Sequence, residues 1–121
     1  MAGYSDLVVW QEARRLNRQV GDLVKKLPPY ELYGLSDQMR RAAVSIGSNI
    51  AEGRGRGTIP DFIHFLYIAR GSAYELGTQL IYSVDLGYVD RKEIGEVKAQ
   101  LNKVIWLINK TIWSLKRLEK A

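Results

Sequence analysis

Two groups of residues in this 121-residue chain have types and spacings that suit chemistry. The first is cationic. Lys103, Lys110 and Arg117 recur at intervals of seven, and no Asp or Glu occurs from Val97 to Leu118. A charge row is most often a solvated face, but a row without acidic compensation suits an anionic partner. Arg54 and Arg56 alternate with Gly53, Gly55 and Gly57. Arginines between glycines suit sequence-independent phosphate contact, because the backbone adapts to the ligand; a plain flexible turn would read the same way. The second group is polar and sits inside an apolar run: Ser45, Ser48, Asn49 and Glu52, preceded by Arg40 and Arg41. Glu52 is expected to pair with Arg40 or Arg41, or to accept backbone hydrogen bonds at a bend, with a ligand site as the alternative.

Catalytic constellations are scarce. His64 lies beside Phe62, Phe65 and Tyr67 and has no second His or Cys at metal spacing. No serine sits in a G-x-S-x-G elbow, and there is no P-loop and no dinucleotide fingerprint after a strand. Paired carboxylates need only spatial proximity, which a sequence does not display. The chain therefore reads as a non-enzyme with no metal or cofactor.

The elements that must position these residues are helices. Ser5 to Leu27 carries Leu16, Val20, Leu23, Val24 and Leu27 at helical spacing, and Pro28-Pro29 stops it. A second helix is expected from about Leu35 to Gly53, with Gly53 as a left-handed terminator and a bend or break across Ser45, Gly47, Ser48 and Asn49. Arg54 to Gly57 would then form a basic loop. A third helix should run from Thr58, its cap, to about Leu86, with Asp61 in a capping box and Gly87 closing it. A fourth should run from Asp90 to about Leu118 along a seam of Ile94, Val97, Leu101, Val104, Ile108, Thr111, Leu115 and Leu118. The expected fold is all-α, one domain over residues 1–121, an up-down-up-down antiparallel four-helix bundle.

With Val104 at zero on a helical wheel, Trp106 and Trp113 fall at roughly 180–200°, opposite the seam, and the Lys103 row falls at about −120°. Two large aromatics on an outer face are expected at a subunit interface, the alternative being a covering loop or partial exposure.

Composition narrows the class. Eighteen Lys and Arg against thirteen Asp and Glu give +5, which suits a polyanionic partner. Hydrophobic residues at 46% are too many for a disordered chain, and the absence of cysteine excludes disulfides and thiolate chemistry. No apolar run approaches a membrane span, and the opening MAGYSDLVVWQEARR lacks the order of a signal peptide, so a cytoplasmic location is expected.

The run RRAAVSIGSNIAEG resembles the signature of the bacterial four helix bundle proteins, the 23S ribosomal-RNA intervening-sequence family. The likeness continues in Asp6-Leu7-Val8-Val9-Trp10, in Glu31-Leu32-Tyr33-Gly34-Leu35 with Gln38, and in Phe62, Phe65, Leu66, Ala69, Gly71-Ser72, Glu75-Leu76 and Gln79-Leu80. It departs at Gly47, where the family commonly has proline. The resemblance implies a ring-shaped homopentamer without enzyme activity. Some relatives are encoded inside ribosomal-RNA genes; others resemble the accessory protein of diversity-generating retroelements, which binds nucleic acid and reverse transcriptase. The reading is an oligomeric, non-enzymatic accessory protein that binds RNA or DNA, with reverse transcriptase or a ribosomal-RNA-related molecule as partner. A protein-binding scaffold is the alternative.

Overall fold

The computed structural model describes residues 3–120. Four helices, α1 (Val8–Val24), α2 (Leu35–Gly55), α3 (Ile59–Asp85) and α4 (Gly95–Lys120), make up the fold, with 3-10 turns at Tyr4–Asp6 and Pro29–Glu31 and no strand among the described residues. Each helix packs on its neighbours in sequence, and α1 closes the square against α4; the diagonal pairs do not approach. The short connections make successive helices antiparallel, and cross-helix pairs mark their register: Ser45 with Ser72, Arg70 with Asn109, and Glu12 with Gln100. Leu16, Met39, Ile46, Leu66, Leu76 and Ile108, from all four helices, are almost wholly buried. Each contributes about 1.5–3 kcal/mol by leaving water.

Helix α1 begins at Val8 rather than Ser5. Residues 4–6 form a tighter turn, Leu7 is extended at φ −75° and ψ 127°, and Tyr4 sets its ring edge-on to Trp10 at 5.2 Å. At the opposite end of the bundle, Glu31 ties two connections together. Its carboxylate accepts from the Leu35 backbone N–H at 3.0 Å and from the Tyr88 hydroxyl at 2.7 Å. A Cβ at position 34 would displace that carboxylate, the far end of a flexible side chain, from its place beside the Leu35 N–H.

Helix α2 corrects three expectations. It runs without interruption from Leu35 to Gly55, so the break between Ser45 and Asn49 is absent. The polar side chains there serve the helix instead of diverting its backbone. Asn49 donates to the Ser45 carbonyl at 2.8 Å and to its hydroxyl at 2.9 Å, while Ile46 and Ile50 are clamped in the core. Gly53 is helical and buried; a Cβ there would lie 2.7 Å from Phe65 Cβ and 3.3 Å from Phe62 Cα, so close approach of α3 demands glycine. The left-handed residue is Gly57, at φ 85°. The loop expected from Arg54 to Gly57 thus shrinks to residues 56–58.

Thr58 caps α3 by accepting from the Asp61 N–H at 3.3 Å, and Gly87, at φ 76°, ends that helix. Ahead of α4, Asp90 and Glu93 cap each other's backbone at 2.7 and 3.0 Å. One α-type bond, from the Ile94 N–H to the Asp90 carbonyl at 3.3 Å, is followed by a three-residue one from Gly95 to Lys92 at 3.2 Å, and α4 starts at Gly95 rather than Asp90. Its buried seam ends at Ile112; Leu118 is exposed. Because Glu12 lies opposite Gln100 and Lys103, the last turns of α4 extend beyond the start of α1 and lose that neighbour.

Candidate nucleic-acid interface

Helix α4 presents three faces, and the sequence row of cations divides between them. Lys103 faces α1, where its ammonium lies 3.0 Å from Glu12, a carboxylate whose side chain is only 12% exposed. The Gln100 amide donates to the same carboxylate at 3.1 Å, and Arg15 stands at 3.9 Å. These partners, Gln100 first and Lys103 next, hold the Glu12 carboxyl below its ordinary range. Lys103 is therefore engaged within the bundle.

The outer face carries Trp106 and Trp113, each 59% exposed. Among the described residues, no loop covers either ring. The Lys110 ammonium lies 4.8 Å from the Trp106 ring centroid, and the Arg117 guanidinium lies 4.7 Å from that of Trp113. Both are pairs four residues apart on one helix, a spacing at which side chains meet. At exposed sites such a contact contributes about 0.5–1 kcal/mol.

Toward α3 the pattern repeats. The Arg70 guanidinium sits 4.8 Å from the Tyr67 ring centroid, and the Lys116 ammonium 5.3 Å from the same ring. Arg70 also donates to Asn109 at 3.1 Å. Further along, Tyr74, Gly77, Ile81, Lys98, Leu101 and Ile105 line an apolar groove of about 400 Å³ between the two helices. Two cation-on-ring contacts thus lie on the outer face of α4, and two more gather at Tyr67 on its α3 side. Sequence reasoning singled out Lys110, Arg117 and the tryptophans, and did not single out Tyr67, Arg70 or the contact of Lys116 with the Tyr67 ring. The signal was the four-residue interval from each tryptophan to a cation; the cross-helix pairs needed the packing.

The other sequence candidates lie elsewhere. Arg54 is half-buried in the last turn of α2 and is engaged there. Arg56 donates to Glu52 at 3.2 Å, and its guanidinium lies 5.1 Å from the Phe65 ring centroid. Arg56 is held by these side-chain contacts while remaining exposed, and both arginines border or end helix α2 in place of the basic loop expected from Arg54 to Gly57. Glu52 accordingly pairs with Arg56, not with Arg40 or Arg41. Arg41 binds Asp37 at 2.9 Å, and Arg40 donates to the Leu32 carbonyl at 3.5 Å. Ser45 and Asn49 belong to the α2–α3 contact. Since α2 and α4 run the same way, the α2–α3 turn lies at the same end of the bundle as Arg117.

A second depression, an open cleft of about 740 Å³ between α1 and α4, mixes Arg15, Arg18 and Lys103 with Asp22 and Glu96. The acids offset its field. No group of acidic, His or Cys side chains suited to a metal exists among the described residues, and none of their helices is long and apolar enough to cross a membrane. His64 is exposed, edge-on to Phe65.

Fold and surface together define an all-α bundle with cation-on-ring contacts on the outer face of α4 and at its border with α3. The chain belongs to the 23S rRNA-intervening sequence protein family, whose model matches residues 5–110. That span includes Trp106 and Lys110 and stops before Trp113 and Arg117. A crystal structure of a protein of unknown function from the S23 ribosomal protein family, from Bacteroides thetaiotaomicron VPI-5482, is similar at 25% identity and a TM-score of 0.80; the match covers 87% of this chain and 98% of that one. No curated protein matches.

Proposed function

We propose that this protein is a non-enzymatic accessory protein that binds nucleic acid through the outer face of α4 and its border with α3. The observation that carries the reading is the 22-residue stretch of α4 from Val97 to Leu118, which holds five cations, exposed tryptophans and no acid. Lys98, Lys110, Lys116 and Arg117 supply the phosphate contacts, joined by Arg70 from α3. Lys103 contributes only if Glu12 releases it. The family's connection with ribosomal RNA makes RNA the first ligand to test, with reverse transcriptase or a ribosomal-RNA-related molecule as the partner of such a complex.

Fluorescence anisotropy of labelled RNA and DNA at several salt concentrations tests the reading. Phosphate neutralisation releases counterions, so log affinity should fall linearly with log salt. Lys110→Gln with Arg117→Gln should lower affinity for all sequences about equally and flatten that slope by about two charges. Absence of binding to any RNA or DNA at low salt would sink the proposal.

A second reading is favoured by the same 59% exposure of Trp106 and Trp113. In it a further copy of the chain covers the tryptophans, and the ring-shaped homopentamer implied by the resemblance is the form the assembly takes. The protein would then be a scaffold whose charge serves solubility.

A further inference from the structure

Trp106 and Trp113 lie one above the other on α4, seven residues and thus about 10.5 Å apart along the axis. That distance equals about three steps of a stacked nucleic-acid strand. Each indole has a cation over it, yet each side chain is still 59% exposed with that cation in place. The cations therefore neither bury the rings nor block their approach. A third ring, Tyr67, lies on the neighbouring helix between Arg70 and Lys116.

We propose that this face takes unpaired nucleotides, with bases stacking on Trp106 and Trp113 while Lys110 and Arg117 swing from the rings to the adjacent phosphates. The inference rests on the nucleic-acid reading above and specifies its ligand as single-stranded. Base-aromatic stacking tolerates every base, because each has a π-face, and flanking cations follow the backbone. A duplex satisfies only half of this surface. Its bases are already stacked on one another, so it offers the cations its phosphates but gives the tryptophans nothing to stack on. A second copy is a poorer occupant in the self-complementary arrangement, since that would set Lys98, Lys110, Lys116 and Arg117 against themselves with no acid on α4 from Val97 to Leu118 to oppose them.

The test uses the full chain, oligouridylate and oligothymidylate as single strands, and a blunt duplex of equal length, at one low salt concentration. Tryptophan emission should be quenched by the single strands and not by the duplex. Trp10→Phe should leave the quench intact, because Trp10 is on α1 against Tyr4 and Arg14. Trp106→Ala and Trp113→Ala should each weaken single-strand binding by roughly 5- to 150-fold, while Phe at either position retains most of it. Duplex affinity should change little in these variants. Circular dichroism controls for folding, and the exposure of both side chains makes loss of helix the unexpected result. Equal affinity for single strand and duplex, untouched by the alanine variants, would overturn the inference and leave the nucleic-acid reading standing. Failure of both ligands to bind would remove both. A fall in molar mass in the double alanine variant, with nucleic-acid affinity unchanged, would assign the face to a second copy and overturn the inference.

Discussion

Ser45 and Ser72 meet hydroxyl to hydroxyl at 2.8 Å between α2 and α3, and the Ser45 oxygen also accepts from Asn49. Small side chains let the two helices come this close, and their half-buried hydroxyls satisfy each other. Replacing either serine alone by alanine leaves its partner short of a hydrogen bond and should cost about 1 kcal/mol in urea unfolding. The double variant should cost clearly less than the sum, because the second change removes a group already orphaned. Additive losses would show that the pair is not coupled.

Two glycines of α2 should respond oppositely to alanine. At Gly47 a Cβ would meet Ala13 Cβ and Trp10 Nε1 at 3.9 Å, an ordinary contact, so Gly47→Ala should stabilise by about 0.5–1 kcal/mol through backbone entropy. At Gly53 the same Cβ would lie 2.7 Å from Phe65 Cβ, so Gly53→Ala should destabilise by about 1–3 kcal/mol as α3 is pushed away. Thermal melts of both variants decide this.

That contrast marks what the sequence made legible. Periodic apolar residues from Leu16 to Leu27 and from Ile94 to Ile112 gave the helices and their order, because a buried stripe has a period. The turn residues misled at Gly53 and Gly47. Their types announce conformational freedom, but both are helical, and what decides their worth is a neighbour far away in the chain: Phe65 leaves no room for a Cβ at Gly53, whereas Ala13 and Trp10 leave room at Gly47. The same distinction governs the candidate site. The outward direction of Trp106 and Trp113 follows from the wheel alone. The loss of Lys103 to Glu12, and the enlistment of Tyr67 by Arg70 and Lys116, depend on which helices lie side by side.

Acid should loosen the end of the bundle where Glu31 joins two connections. The Leu35 backbone N–H, and then the Tyr88 hydroxyl, hold the Glu31 carboxyl below its ordinary value of 4.5. A carboxyl with a lowered folded pKa contributes stability that is complete above the unfolded value and is lost as pH falls through the folded one. Melting temperature should therefore decline from about pH 5 downward, and Glu31→Gln should flatten part of that decline. An unchanged profile in the variant would assign the acid sensitivity to Glu12 and Glu93, whose carboxyls are held low in the same way.

Light scattering separates the two uses of the tryptophans without any ligand. If the rings are free for bases, wild type and Trp106→Ala with Trp113→Ala should have the same molar mass at micromolar concentration. A wild-type oligomer that falls to a 13.8 kDa species in the double variant would instead support the covering copy.

The three residues between α2 and α3 have a further consequence, for the order in which the chain assembles. So short a connection makes closure of this helical hairpin entropically cheap, and the hairpin already contains the closest interhelical packing, at Gly53 with Phe65 and at Ser45 with Ser72. Contacts between α1 and α4, such as Glu12 with Gln100, require 88 residues of chain to be closed first. Local contacts form early and distant ones late when topology sets the rate. Ser72→Ala should consequently slow refolding, whereas Gln100→Ala should chiefly hasten unfolding, so that stopped-flow kinetics would read the α2–α3 hairpin as the nucleus on which the outer helices condense.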